Sequence, residues 1–258
     1  MELRTTIFGV ETSYKVVGDG EPILILHGWG GSSDSWSKVQ QILADRGYKV
    51  IIPDLPGFGK SKTPKVPWSR EDYLKWILEF TGSQGLREFF LIGHSFGGSL
   101  SMLLASKYPE KIKKMIICAA SGIKRKLGLK DKAIYATAKI GNLFFSIKYL
   151  SLFKDGARNF FYLFLRNRDY TRADETMKKT LENVLSEDLS EEIPKIKTGT
   201  LLIWGTRDRL VPIKFGREIN KKISGSKLEI LNGVGHSPHL EIPDMLSDII
   251  LSFIRKQE

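Results

Sequence analysis

The hydrophobic positions of this 258-residue chain follow two periods, one short and one near 3.6. From Glu2 to Val17 apolar and polar residues alternate about Gly9, which predicts a β-hairpin. Six short apolar runs follow: Ile23–Leu26, Val50–Ile52, Phe89–Ile92, Met115–Ala119, Leu201–Trp204 and Leu228–Leu231. They lack polar alternation, as strands of a parallel sheet covered on both faces do. Helical stretches fall between them, at about Ser35–Arg46, Arg70–Thr81, Ser95–Lys107, Pro212–Ile223 and Pro243–Arg255. Proline or glycine marks many of the boundaries. Strand and helix in alternation predict a doubly wound α/β fold.

One segment breaks the rhythm. From Gly122 to Lys197 no strand pattern appears between the two strands that frame it. Ile140, Leu143, Phe144, Ile147 and Leu150 keep helical spacing, Phe160 to Leu165 is apolar nearly all round, and Thr176 to Leu189 reads as a further helix. The prediction is a core of residues 1–121 and 198–258 with a helical insertion, 122–197, over the carboxyl edge of the sheet, where such folds bind ligands. Phe144 and Phe161 are the insertion's candidates for lining a pocket there.

The connection after the Phe89–Ile92 run reads Gly93-His94-Ser95-Phe96-Gly97-Gly98 and contains G-x-S-x-G. Between a strand and a helix this is the pattern of a nucleophile elbow. The turn strains the serine backbone, the glycines keep side chains from crowding it, and the helix start aims free N–H groups at the reacting centre. A serine hydroxyl needs a base. Of the four histidines, His236 lies between glycine-rich residues directly after the last predicted strand, in Gly233-Val234-Gly235-His236-Ser237-Pro238. His239 reads as a packing or hydrogen-bonding residue.

The base in turn needs an orienting carboxylate, and Asp208 follows the Leu201–Trp204 strand in Trp204-Gly205-Thr206-Arg207-Asp208. The order Ser95, Asp208, His236 is nucleophile, acid, base. An oxyanion needs two aimed donors. One is the N–H of Phe96, and the other is the N–H of Trp29 in the glycine loop His27-Gly28-Trp29-Gly30-Gly31. Gly28 lets the backbone approach a ligand. His27 braces the loop and borders the pocket.

Composition narrows the setting. With 41% hydrophobic and 10% aromatic residues the chain is neither disordered nor fibrous. The N-terminus lacks the basic-then-apolar pattern of a signal peptide, and no apolar run is long enough to span a membrane. A single cysteine, Cys118 in a strand run, excludes an intrachain disulfide. The expectation is a cytoplasmic protein without stable membrane association. The formal net charge is +11, but the basic residues are spread, with Lys124-Arg125-Lys126 the one compact cluster, and no nucleic-acid-binding motif accompanies them. No metal-ligand spacing occurs, and the chemistry calls for no cofactor.

The chain resembles the α/β-hydrolases of the serine esterase and lipase type through five segments: His27-Gly28-Trp29-Gly30, Asp54-Leu55-Pro56-Gly57-Phe58-Gly59-Lys60-Ser61, Gly93 to Gly98, Trp204 to Asp208, and Gly235-His236-Ser237-Pro238. The resemblance implies an eight-stranded, mostly parallel sheet flanked by helices, with a helical cap where the insertion lies. Haloalkane dehalogenases and most epoxide hydrolases of this fold carry Asp at the elbow, so Ser95 argues against both.

The expected reaction is hydrolysis of small-molecule carboxylic esters, short- to medium-chain, through an acyl-enzyme. Alternatives within the resemblance are an esterase for methyl esters on acyl carrier proteins and a lipase. Carbon–carbon bond hydrolases of dienoates often have Asn where this chain has His94. A receptor that keeps the triad but barely turns over is another alternative. Monomer and dimer both stay open.

Overall fold

The computed structural model describes residues 2–120, 122–123 and 175–256. By contacts the chain divides into two compact units, residues 1–123 with 175–258 and residues 124–174. The second unit, with Phe144, Phe161 and the predicted helices around them, lies outside the described residues.

The first unit is built on an eight-stranded sheet in the order β1-β2-β4-β3-β5-β6-β7-β8. Its strands are β1 (Glu2–Ile7), β2 (Val10–Val17), β3 (Glu21–Leu26), β4 (Tyr48–Pro53), β5 (Phe89–His94), β6 (Ile112–Cys118), β7 (Thr200–Gly205) and β8 (Lys227–Leu231). The predicted hairpin is β1–β2, paired Ile7 to Val10 across the Phe8-Gly9 turn. β2 runs antiparallel to β4, and every later pairing is parallel.

The continuous apolar runs have the reason expected of them, because β5 and β7 are buried at every position. β8 is the exception. As the last strand of the sheet it is mostly exposed, and its alternation is correspondingly polar, with Lys227 and Glu229 on the surface.

Two layers of helices cover the sheet. On one face α1 (Ser37–Asp45) and α6 (Pro243–Arg255) share a core with alternate strand residues: Val39, Leu43, Leu246 and Ile250 pack with Ile23, Ile25, Ile92 and Ile116. The intervening residues Leu24, Leu26 and Leu91 are just as buried and face the other layer. Helices α2 (Arg70–Ser83) and α3 (Phe96–Lys107) pack on each other, with α3 on β5. α2 starts at a complete capping box, Ser69 with Asp72.

α1 begins two residues later than its pattern predicts. A 3₁₀ turn, Ser33–Trp36, takes up the first residues and buries Trp36. α5 (Ile213–Lys222) lies on β7, where Gly216 meets the Trp204 ring so closely that a Cβ would sit 2.7 Å from it.

Helix α4 (Glu175–Ser186) belongs to this unit and is tied to it by polar bonds. Trp68 N–H donates to Thr180 Oγ1 at 3.0 Å, and the buried Arg70 guanidinium donates to the Glu187 carbonyl at 3.2 Å. Leu189 N–H closes the segment onto the Gly122 carbonyl at 2.8 Å. Among the described residues no helix is long and apolar enough to cross a membrane.

Candidate active site

Parallel strands end together, so their carboxyl ends bring distant segments to one edge. β5 ends at His94, and Ser95 follows with φ 51° and ψ −112° before α3 begins at Phe96. A non-glycine residue held there costs on the order of 1–3 kcal/mol. The surroundings leave it no alternative. A Cβ on Gly93 would lie 2.3 Å from Ser101 Oγ, and one on Gly97 would lie 2.1 Å from the Leu26 carbonyl oxygen. Ser95 N–H donates to the Cys118 carbonyl on β6, and Gly97 N–H to the His27 carbonyl after β3, at 2.9 and 3.1 Å. The elbow is thus pinned between its two neighbouring strands. Phe96 opens α3, so its N–H is among those no helical carbonyl takes up.

The glycine loop after β3 packs against this turn. Gly31 N–H donates to the Gly28 carbonyl at 3.0 Å, making a turn with Trp29 and Gly30 at its centre, Gly30 at φ 72°. A Cβ on Gly28 would meet His94 Nδ1 at 2.8 Å and Ser95 Cβ at 3.2 Å, so only glycine lets the loop come this close to the serine. The Trp29 ring is locked edge-on between Phe58, 4.8 Å away, and Phe96, 5.3 Å away.

His27 is fully buried. Leu55 N–H donates to its Nε2 at 2.9 Å, so the proton is on Nδ1, which donates to the Gly28 carbonyl at 2.7 Å. Burial lowers its pKa and keeps the ring neutral. Both nitrogens are spent on backbone, so His27 shapes the loop from behind and offers a ligand no polar atom.

The turn-rich segment from Asp54 to Ser61 braces the same loop. Asp54 Oδ1 accepts from Ser33 N–H at 2.6 Å and Oδ2 from Lys60 N–H at 2.8 Å.

The loops that carry Asp208 and His236 meet through the end of β7. Gly205 touches the backbone of the other loop, and a Cβ there would be 2.2 Å from the Val234 carbonyl oxygen. Arg207 N–H donates to that carbonyl at 2.9 Å. Asp208 is buried, and its Oδ1 accepts the N–H groups of Leu210 and Val211, each at 2.9 Å. Oδ2 lies 2.8 Å from His236 Nδ1. A carboxylate only accepts, so Nδ1 carries the proton and Nε2 the lone pair. Nε2 is buried and has no hydrogen-bond partner among the described residues.

Two residues that hold this loop were not singled out for that role from sequence. Glu241 takes the Gly235 and Ser237 N–H groups, at 2.8 and 3.2 Å, one on each side of His236. His94 Nε2 lies 2.8 Å from the His236 carbonyl oxygen. No spacing rule marks Glu241. His94 was open to the question only through its place beside Ser95.

His239 is buried, as a packing residue should be. It stacks on Trp36 with ring centroids 4.4 Å apart, and burial lowers its pKa to about 3.

A family model described as alpha/beta hydrolase fold matches residues 21–243 of the chain. An uncharacterized protein of Mycobacterium tuberculosis is 26% identical over 98% of this chain and 81% of its own. The 2-hydroxy-6-oxononadienedioate/2-hydroxy-6-oxononatrienedioate hydrolase of Escherichia coli K12 is 28% identical over 92% and 88%. A bacterial membrane phospholipase A is similar in structure, with a TM-score of 0.79, 23% identity, and coverage of 100% of this chain and 87% of that one.

Proposed function

The chain belongs to the alpha/beta hydrolase fold family, and from that premise we propose that it is a serine hydrolase cleaving carboxylic esters through an acyl-enzyme. The observation that carries the reading is the Asp208–His236 pair, 2.8 Å apart, with His236 Nε2 buried and without a hydrogen-bond partner among the described residues, and the His236 ring 4.8 Å from that of His94, the residue before the strained Ser95. An unpaired buried nitrogen is unfavourable in a resting fold. It is useful where a hydroxyl proton must be taken.

Ser95 Oγ attacks the ester carbonyl while Nε2 takes its proton. Asp208 keeps the other nitrogen protonated and stabilises the imidazolium. The N–H groups of Trp29 and Phe96 hold the oxyanion, a contribution of about 10²–10³ in rate for each donor. The tetrahedral intermediate collapses, and His236 returns the proton to the departing alcohol. Water, activated by the same nitrogen, then releases the acid and frees Ser95. On the glycine loop, Gly28 is the proposed pocket neighbour. The substrate is a free small molecule met in the cytoplasm, with no nucleic acid, membrane or cofactor taking part.

A second reading is carbon–carbon bond hydrolysis of a dienoate. It is favoured by the 28% identity to the Escherichia coli hydrolase named for such substrates, over 92% of this chain. One experiment separates the two. The protein is assayed on p-nitrophenyl esters of rising acyl length and, in parallel, on a 2-hydroxy-6-oxo-dienoate followed by loss of its chromophore, with Ser95→Ala as control. Ester turnover that vanishes in Ser95→Ala, together with an inert dienoate, supports the esterase. Faster dienoate cleavage replaces it with the second reading, and turnover surviving in Ser95→Ala overturns both.

A further inference from the structure

His94 stands where three loops meet. It is the last residue of β5, directly before Ser95. Its Nε2 lies 2.8 Å from the carbonyl oxygen of His236, 142 residues along the chain. A carbonyl oxygen only accepts, so Nε2 carries the hydrogen and Nδ1, in the neutral ring, the lone pair. On that Nδ1 side the ring touches the glycine loop, where a Cβ on Gly28 would come to 2.8 Å.

The ring cannot turn away. It packs at 4.6 Å from the His239 ring and 4.8 Å from the His236 ring, with Trp36 at 6.4 Å. One buried imidazole therefore touches the base loop with a hydrogen bond and the oxyanion loop with its edge, and carries the nucleophile on its own backbone.

We infer that His94 is the positioning residue of the site, whose Nε2–H clamps the His236 main chain while its ring sets the spacing of the Gly28 loop from the elbow. The inference rests on the triad reading above. It assigns His94 no proton transfer. Burial, reinforced by the neighbouring His239 and His236, holds its pKa well below the ordinary histidine range, so the clamp keeps one tautomer wherever the enzyme works. A base displaced by as little as about 1 Å can cost on the order of 10² in rate. Loss of the clamp should therefore appear in kcat and leave substrate binding nearly untouched.

The test compares His94→Leu, which removes the donor, with His94→Gln, whose amide nitrogen falls near the position of Nε2. The readouts are kcat and KM on the best p-nitrophenyl ester and the rate at which a fluorophosphonate labels Ser95. His94→Leu should lower kcat and labelling at least tenfold with KM within about threefold, and His94→Gln should return both to within about threefold of the parent. A parent-like His94→Leu overturns the inference, as does a His94→Gln equally impaired. Should His94→Leu fail to fold, His94→Asn replaces it. Its shorter amide stops short of the carbonyl, and equal rates for Gln and Asn overturn the clamp. A parent protein whose Ser95 is not labelled overturns the triad reading instead, before His94 is tested.

Discussion

The elbow and the base loop hold their side chains in opposite ways. At the elbow the geometry is steric. Ser95 sits at φ 51° because Gly93 and Gly97 leave no room for anything else, with forbidden Cβ positions 2.3 and 2.1 Å from neighbouring atoms. At the base loop the geometry is polar. His236 is held by Asp208 through its side chain, by His94 through its carbonyl, and by Glu241 through the N–H groups on either side. Steric constraints are stiff and fail abruptly. Hydrogen-bonded ones share the load and fail by degrees. Strain suits a nucleophile, and a base exchanges its proton with two partners in one cycle, so each mode suits the role proposed for its residue.

The largest effect on the polar side should come from Asp208→Asn. It keeps the shape but can present the wrong hydrogen-bonding group to Nδ1, and kcat should fall about 10²–10⁴-fold with KM nearly constant. Steady-state kinetics on one ester checks this, and an unchanged kcat would assign the orienting role to another carboxylate.

On the steric side, Gly97→Ala should fail outright. The Leu26 and His27 carbonyls cannot move without breaking the sheet end, so the loss should exceed about 2 kcal/mol in urea unfolding and take activity with it. Glycines elsewhere provide the contrast, since a Cβ on Gly82 meets nothing within 4 Å. If Gly97→Ala proved as mild as Gly82→Ala, the elbow would not be sterically pinned.

Acid should weaken the histidine cluster next. His239 has its pKa lowered to about 3, and His27 and His94 are lowered in the same direction, all chiefly by burial. The unfolded chain binds these protons more readily, at a pKa near 6.5. Stability is therefore full above about pH 7 and is lost as pH falls toward the folded values. From pH 7 to pH 5 His239 alone should account for about 2 kcal/mol. Urea midpoints at the two pH values measure it, and the loss should shrink in a variant with His239 replaced by Phe.

The smallest effect should be that of Glu241→Ala. Its two bonds are exposed and share the loop with stronger ones, so about 1 kcal/mol of stability and a few-fold drop in kcat are expected. A loss as large as that of Asp208→Asn would show that the polar side does not share its load.

How much of this was legible follows from what enforces each part. The strands were read from apolar runs because parallel strands are buried on both faces, and the reading weakened at β8, where one side of the strand is open. α1 starts at Ser37 rather than Ser35 because Ser33–Trp36 forms a 3₁₀ turn, and the helical spacing of Trp36 with Val39 and Leu43 does not tell the two apart. The sequence places His27 at the pocket. Its glycine neighbours told of a close approach but not that Leu55 and Gly28 would occupy both ring nitrogens.

By itself, the amino-acid sequence determined the α/β layering, the Gly93–Gly98 turn and the chain order of Ser95, Asp208 and His236. Each follows from local sterics, hydrophobic period or position after a strand, which neighbouring residues encode. Only the tertiary structure decided that His94 reaches the His236 carbonyl, that Gly205 lets the acid and base loops touch, and that Glu241 braces one of them. These are hydrogen bonds and close approaches across the end of a parallel sheet. Their partners are chosen by where the strands finish, which no stretch of sequence specifies alone.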